Sequence, residues 1–199
     1  MRANAPVAPL SVDPFLAWEE QQPDRFELVG GTVRMMAGGT EGHDRIAGNI
    51  FAALRSRLRG RPCSAHGSNL KVASREAGAV MYPDAFVRCG PRNDQRMMVE
   101  DPVVVFEVLS EGTLKHDLTR KRLAYEAMPS LRRIVYVSVD ELRIDMRVRS
   151  TGGLWSDEPI EGLGVVITLT EIGIELPMAE IYEDTELLAA ALANDGVAL

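Results

Sequence analysis

One stretch of the sequence decides the fold: Asp101-Pro102-Val103-Val104-Val105-Phe106-Glu107-Val108-Leu109-Ser110. Its β-branched and aromatic residues predict a strand that is buried on both faces in the middle of a sheet. Glu107 is the exception in this apolar run. A buried carboxylate loses several kcal/mol of hydration unless a cation, a metal ion or hydrogen-bond donors replace the water. The sequence therefore predicts a compensating group beside Glu107.

Two further charged residues interrupt apolar patterns on either side of this strand. Residues 80–88 predict another strand with Asp84 at its centre, and Pro83 favours an edge, a strand start or a bulge there. Downstream, one apolar stripe of a predicted helix is formed by Leu114, Leu118, Tyr125 and Met128. Lys121 occupies a position of that stripe where an apolar residue is expected. Local patterns fail most often at functional sites, so the three charges are candidate site residues.

These charges suit metal-dependent hydrolysis of a phosphodiester. Asp84 and Glu107 supply the hard oxygen ligands that Mg²⁺ prefers, and Lys121 is placed to hold the attacking water. A structural interpretation stays open beside this one. Asp117, four residues before Lys121, would form a helix-surface pair worth only about 0.2 to 0.5 kcal/mol. Equally, Asp84 would cap a turn, and Glu107 would pair with one of the arginines.

The composition limits the class of protein. The chain has 199 residues, 46% of them apolar, which suffices for one domain with a real core. Its net charge of −7 argues against a general DNA coat, although a local basic groove is compatible with it. The sequence has no apolar run long enough for a signal peptide or a membrane span, and we expect a cytoplasmic protein.

The two cysteines are expected to be free thiols in a reducing compartment, because a domain of this size does not need a disulfide. Cys63 and His66 have half of a zinc-binding spacing, but no second pair of ligands follows. Four arginines crowd the end of a helix predicted at residues 43–58, namely Arg55, Arg57, Arg59 and Arg61. They suit the negative end of the helix dipole, and contact with a phosphate backbone is the alternative.

The remaining pattern predicts a mixed α/β domain. We expect a disordered leader at residues 1–11, a domain at 12–183 and a helical tail at 184–199. Asp13 is the predicted N-cap of a first helix that ends near residue 22, and Gly30-Gly31 predicts a hairpin with Glu27 in its first strand. The glycine-rich loop before His43 lacks the Gly-Lys-Ser/Thr of a P-loop. Strands after residue 140 predict an antiparallel extension of the sheet.

The order of these residues resembles the Uma-type restriction endonuclease family, a branch of the PD-(D/E)XK nuclease superfamily. The matching positions are Glu27, His43, Tyr82-Pro83-Asp84, Glu107-Val108-Leu109-Ser110, Thr113, Asp117, Lys121 and Tyr125. The resemblance covers about residues 12–182. The chain departs from the family pattern at Gly30, where Asp is usual, and at Glu111, where Pro is usual.

This resemblance implies a restriction-endonuclease-like core, a mixed sheet flanked by helices, and a Mg²⁺ site in which Mn²⁺ can substitute. Asp84 and Glu107 match the metal-binding acids. Lys121 matches a lysine displaced to the following helix, because Leu109 stands where Glu-x-Lys has its lysine. Glu27 matches an early acid that binds metal or orders water.

The resulting hypothesis is an endonuclease that acts on DNA, and we expect a homodimer because cutting both strands of a duplex usually needs two sites. Three residues are candidate substrate-binding positions: His43, Lys71 and Arg120. The alternative is a catalytically inactive nuclease-like binding or assembly module, which the acidic net charge and Glu111 favour. Cleavage of RNA or of branched DNA would use the same site.

Overall fold

The computed structural model describes residues 10–36, 38–110 and 115–194, and the side chains of residues 115–117 are outside this description. Helices occupy five segments: α1 Val12–Glu19, α2 Glu41–Arg57, α3 Lys115–Glu126, α4 Met178–Ile181 and α5 Glu186–Asn194. Strands occupy thirteen: β1 Phe26–Val29, β2 Thr32–Met35, β3 Cys63–Gly67, β4 Lys71–Ser74, β5 Ala79–Met81, β6 Ala85–Cys89, β7 Met98–Val99, β8 Pro102–Leu109, β9 Arg133–Ser138, β10 Arg143–Arg149, β11 Trp155–Glu161, β12 Val166–Leu169 and β13 Ile174–Pro177.

The strand β8 lies inside the larger of the sheets. This six-stranded sheet has the order β11-β10-β9-β8-β6-β3. The pairing of β8 with β9 is parallel, and all other neighbouring strands of this sheet pair antiparallel. Val104 and Phe106 point to the face covered by α2, whereas Val105 packs with Tyr125 of α3 on the opposite face. The prediction of a central strand buried on both faces is therefore confirmed.

A second sheet of five strands, in the order β2-β1-β5-β4-β7, packs beside α3. The sequence pattern predicted one strand over residues 80–88, and this was wrong. The chain leaves the five-stranded sheet after Met81 and enters the six-stranded sheet at Ala85. The break falls at Pro83, which has no N–H to continue a ladder. Asp84 consequently lies directly before β6, in the segment between the two strands, and not in mid-strand.

The predicted antiparallel extension consists of two separate parts. β10 and β11 extend the six-stranded sheet, while β12 and β13 form a hairpin of their own. The second strand of this hairpin begins at Ile174, directly after Gly173, which adopts a φ of +62° in the turn between the two strands. Both strands of this hairpin pack against the core that α2 covers.

Two local predictions need correction. The first helix begins at Val12 with Ser11 in the N-cap position, so Asp13 is not the cap; its carboxylate accepts instead from Arg75 at 2.8 Å. Pro14 still lies in the first turn, where a missing N–H costs nothing. The predicted hairpin around Gly30-Gly31 and the helix with buried Ile46 and Ile50 are both present.

The expectation of free thiols was also wrong. Cys63 and Cys89 are joined by a disulfide between β3 and β6, where they are paired in register. The bond removes Cys63 from any zinc site. His66, the other half of that spacing, instead contacts Ser64 Oγ through its Nε2 at 2.9 Å.

Several predictions concern residues outside the described part of the chain. The leader at residues 1–9, together with Glu111, Thr113 and Leu114, is outside the described part of the chain, as is the side chain of Asp117. Within that described part, none of the helices combines the length and the apolar character needed to cross a membrane.

Candidate active site

Glu107 is the buried carboxylate around which the site is built. Only 6% of the residue is exposed. Tyr125 donates its hydroxyl to Oε1 at 2.6 Å, and Nζ of Lys121 lies 3.2 Å from Oε1 and 3.3 Å from Oε2. Burial raises the pKa of Glu107 to about 7; Lys121 opposes this rise, and the nearby charges of Asp84 and Glu27 add to it. The compensating cation predicted from the sequence is thus Lys121.

Lys121 projects from α3 and contacts two carboxylates on different sheets. Its Nζ is 2.9 Å from Oε1 of Glu27 on β1, in addition to its contacts with Glu107 on β8. Burial alone would lower the pKa of Lys121, but the charges of Glu107 and Glu27 outweigh it and raise the pKa. The ammonium therefore keeps its proton at neutral pH. It can donate hydrogen bonds and stabilise negative charge, but it cannot act as a general base.

Glu27 is positioned by the first hairpin and by the chain segment that follows β5. Its Oε1 accepts from the backbone N–H of Tyr82 at 2.8 Å. The hydroxyl of Tyr82 in turn donates to Glu19 at 2.6 Å. These contacts tie the acid of the hairpin to the Tyr82-Pro83-Asp84 segment that carries the second site acid.

Asp84 is fixed against the central strand. Its Oδ2 accepts from the backbone N–H of Val108 at 2.7 Å, which places the carboxylate beside Glu107. His43, in the first turn of α2, brings its Nε2 to 3.5 Å from the same oxygen. The contact with Asp84 raises the pKa of His43, and burial partly opposes that rise. His43 is thus better able to hold a proton at the site than a free histidine.

The loop before α2 makes room for this imidazole ring. Thr40 is the N-cap residue, and its Oγ1 accepts from the backbone N–H of His43 at 3.2 Å. A Cβ on Gly39 would lie 2.9 Å from Nδ1 of His43. The glycine-rich loop therefore serves the close approach of His43 and does not form a phosphate-binding P-loop.

One cavity of about 360 Å³ lies among these contacts. It brings together the predicted residues Glu27, His43, Asp84, Glu107 and Lys121. In the described part of the chain, no three His, Cys, Asp or Glu side chains are arranged as a ready-made metal cage. The lining nevertheless holds three carboxylates, with Lys121, Arg34 and His43 as its cationic groups. The donor atoms and their charge fit a divalent cation that takes two carboxylates and completes its shell with water and substrate oxygens.

The other two candidate substrate-binding residues lie outside the lining of this cavity. Lys71 is on β4, where its Nζ pairs with the buried Glu19 at 2.5 Å. Arg120 packs over Gly30, and its Nη1 donates to Thr32 Oγ1 at 3.3 Å. Thr32 does line the cavity, so Arg120 lies at its rim, whereas Lys71 has a structural partner elsewhere.

Two of the four arginines at the end of α2 likewise have partners within the protein. Arg57 forms an ion pair with Glu180 of α4, and Nη1 of Arg61 donates to the carbonyl of Gly173 at 2.8 Å. These contacts attach the end of α2 to the C-terminal elements. These contacts explain the presence of Arg57 and Arg61 without a role in binding nucleic acid.

One contact of the site was not predicted from the sequence. Tyr125 lies in the core, as its place on the apolar stripe predicted, and its hydroxyl also donates the shortest hydrogen bond that Glu107 accepts. Burial is the first cause that raises the pKa of this tyrosine, and the charge of Glu107 adds to it. A buried tyrosine usually finds a hydrogen-bond partner. That rule, applied to a tyrosine four residues after Lys121, was the available signal.

The arrangement of sheets and helices defines a restriction-endonuclease-like fold. A solved structure from Anabaena variabilis, titled a "putative nuclease belonging to DUF820", superposes with a TM-score of 0.71 over 87% of this chain and 98% of that one, at 15% identity.

The chain belongs to the Uma2 family, whose model is described as "Putative restriction endonuclease" and matches residues 12–179. Two Synechocystis proteins named only as uncharacterized are similar. One is 31% identical across 78% of this chain and 84% of its own length; the second is 26% identical across 66% and 75%. Membership therefore rests on both the family model and a relative that matches most of its length.

Proposed function

We propose that the protein is a metal-dependent endonuclease that hydrolyses phosphodiester bonds of DNA. The observation that carries the proposal is the position of Glu107, a buried carboxylate on the central strand that shares one cavity with Asp84, Glu27 and the protonated Lys121. Lys121 contacts Glu27 and Glu107, whereas Asp84 faces His43 and the backbone N–H of Val108. Carboxylates gathered in one cavity in this way are the hard oxygen ligands that a divalent cation takes.

Asp84 and Glu107 would hold Mg²⁺, with Mn²⁺ as a substitute. Mg²⁺ is usually bound through one or two carboxylates, while waters and substrate phosphates fill its remaining positions. The absence of a three-residue cage among the described side chains is compatible with that mode. When bound, the ion would polarise the phosphoryl group and lower the pKa of a water molecule.

The residues of the chain would orient the other participants. The ammonium of Lys121 would donate a hydrogen bond to the attacking water and stabilise charge on the phosphoryl oxygens. Glu27 would hold that ammonium in place through its 2.9 Å contact. His43, which retains a proton through Asp84, would donate to a phosphate oxygen of the substrate.

The test is cleavage of labelled DNA oligonucleotides with and without Mg²⁺. Asp84→Asn and Glu107→Gln should abolish cleavage while the melting temperature stays unchanged or rises, because each removes a charge from a crowded site. Glu175→Gln is the matched control, since this acid is exposed on the separate hairpin. Full activity in purified Glu107→Gln protein would end the assignment.

The alternative of an inactive nuclease-like module makes a different prediction for calorimetry. An intact fold that binds no Mn²⁺ at millimolar concentration would favour the module. Dimerisation stays a prediction, which light scattering of the purified protein tests directly.

A further inference from the structure

The cavity is lined by apolar as well as charged side chains. The apolar side chains, here called the apolar wall, are those of Val29, Met35, Met36, Leu109 and Leu118. Met35, on the edge strand β2, is 59% exposed and lines the same cavity as three carboxylates. The proposed chemistry uses the acids and Lys121 and assigns no role to the apolar wall.

The charges around the cavity are poorly suited to gripping a duplex along its backbone. Duplex binders commonly neutralise about 6 to 10 phosphates with lysine and arginine. Among the described side chains, the cationic groups that line the cavity are Lys121, Arg34 and His43, and Lys121 is engaged by two acids. The net charge of −7 adds repulsion at longer range. Even with Arg120 at the rim, these cations would neutralise fewer phosphates than a typical duplex binder does, so other contacts would have to supply part of the binding energy.

An unstacked nucleobase supplies such contacts. Methionine side chains are flexible and polarizable and pack favourably against aromatic rings, and a splayed base presents a ring on both faces. A volume of about 360 Å³ falls within the range of sites that enclose a small ligand. A base that is still paired and stacked in a duplex cannot enter this concave site without being extruded, which costs a few kcal/mol.

We infer that the substrate is single-stranded or locally unpaired nucleic acid, bound with one base against the apolar wall and the adjoining phosphate at Asp84 and Glu107. The inference rests on the proposed function and narrows its substrate class. The cost of extruding the base disappears where the strand is already unpaired. The apolar wall would then favour strands whose bases are unpaired, whatever their sequence.

The first test compares one labelled sequence in three forms, with Mg²⁺: single strand, perfect duplex, and duplex with a central unpaired bubble. The single strand and the bubble should be cut with a kcat/KM roughly tenfold or more above that of the duplex, consistent with the cost of extrusion. A duplex that is cut equally well or better would overturn this inference and leave the proposed nuclease intact. Failure to cut any form would remove the proposed function and this inference with it.

The second test uses the methionines. The double variant Met35→Ala and Met36→Ala should raise KM for the single strand by roughly tenfold, with a smaller change in kcat, because one base loses its packing surface. Met97→Ala is the control, since Met97 is 75% exposed and lies outside the cavity lining. An unchanged KM in the double variant would overturn the role of the apolar wall.

Salt dependence provides an independent readout of the same idea. Binding of the single strand to Asp84→Asn protein should weaken only slightly as salt rises, with a slope of log K against log salt near −1.4 or shallower, as expected for about two phosphate contacts. A slope as steep as that of proteins with many phosphate contacts would contradict the inference.

Discussion

The ammonium of Lys121 lies 2.9 Å from Oε1 of Glu27, and this contact joins a helix to a sheet that does not carry the central strand. The same nitrogen contacts Glu107 on the other sheet. The lysine is therefore a cation shared by two sheets. Its loss would affect both the packing of the sheets and the chemistry of the cavity.

Replacing Lys121 by methionine should destabilise the protein and abolish cleavage. The substitution leaves Glu27 and Glu107 buried without their cation, and breaking a buried pair typically costs about 3 kcal/mol or more. Urea unfolding at neutral pH gives the stability, and oligonucleotide cleavage gives the activity.

Lys71→Met is the comparison that separates these two effects. It removes an ammonium from the buried Glu19 in the same way but lies outside the cavity lining. We expect a similar loss of stability with cleavage retained at a temperature where the variant is folded. Loss of cleavage in folded Lys71→Met protein would restore Lys71 as a substrate-binding residue.

The stability of the protein should fall as pH rises through the titration of Glu107. The pKa of this acid is raised in the fold from 4.5 to about 7, so the folded state binds its proton more tightly than the unfolded state does. The cost of ionising Glu107 is absent below pH 4.5, grows between pH 4.5 and about 7, and is constant above that range.

Glu107→Gln isolates this contribution, since glutamine still accepts from Tyr125 and cannot ionise. The free energy of unfolding of the variant minus that of the wild type should be larger at about pH 8 than at about pH 5. The difference between the two proteins matters, because other groups titrate in both. A difference that stays constant over this interval would mean that Glu107 is not perturbed.

The charges that broke local patterns, Asp84, Glu107 and Lys121, are brought together in one cavity by the fold, and their place in otherwise apolar patterns was the signal for them. The convergence of Glu27 with Lys121 was not visible in the pattern of residues. It depends on how the five-stranded sheet packs against α3, a non-local arrangement. Only the resemblance to a known family drew attention to Glu27.

The errors arose where the partner of a residue lies far along the chain. Asp84 seemed to sit in mid-strand because apolar residues continue across Pro83, although the chain changes sheets there. The disulfide was missed because Cys63 and Cys89 are adjacent only through the antiparallel register of β3 and β6. Periodicity reports which face a residue occupies and carries no information on which strand will lie beside it.

Tyr136→Phe should stabilise the protein by about 1 kcal/mol, because a buried hydroxyl without a hydrogen bond carries an uncompensated desolvation cost. The hydroxyl of Tyr136 is buried without a hydrogen-bond partner among the described residues, and the residue is 7% exposed. Differential scanning calorimetry measures the change.

Tyr182→Phe is the matched control and should have the opposite effect. The hydroxyl of Tyr182 lies 2.9 to 3.1 Å from the carbonyls of Ser138, Glu141 and Arg143. Removing it leaves these partly buried carbonyl oxygens without that donor, at a cost of about 1 kcal/mol. Destabilisation by Tyr136→Phe would show that its hydroxyl has a partner, such as an ordered water.

Breaking the disulfide should reduce the free energy of unfolding without changing the fold. Cys63 and Cys89 are separated by 26 positions, and closing a loop of that size stabilises a protein by about 3 kcal/mol through the entropy of the unfolded chain.

Titration of thiols in denaturant should detect none in the purified protein. Cys63→Ala with Cys89→Ala should unfold at lower urea concentration than the wild type, and treating the wild type with a dithiol reductant should lower its midpoint to that of the double variant. Two free thiols in the untreated protein, or equal midpoints before and after reduction, would contradict the prediction. Because the disulfide lies at the end of the β3–β6 ladder opposite to Asp84, cleavage by the folded double variant should persist.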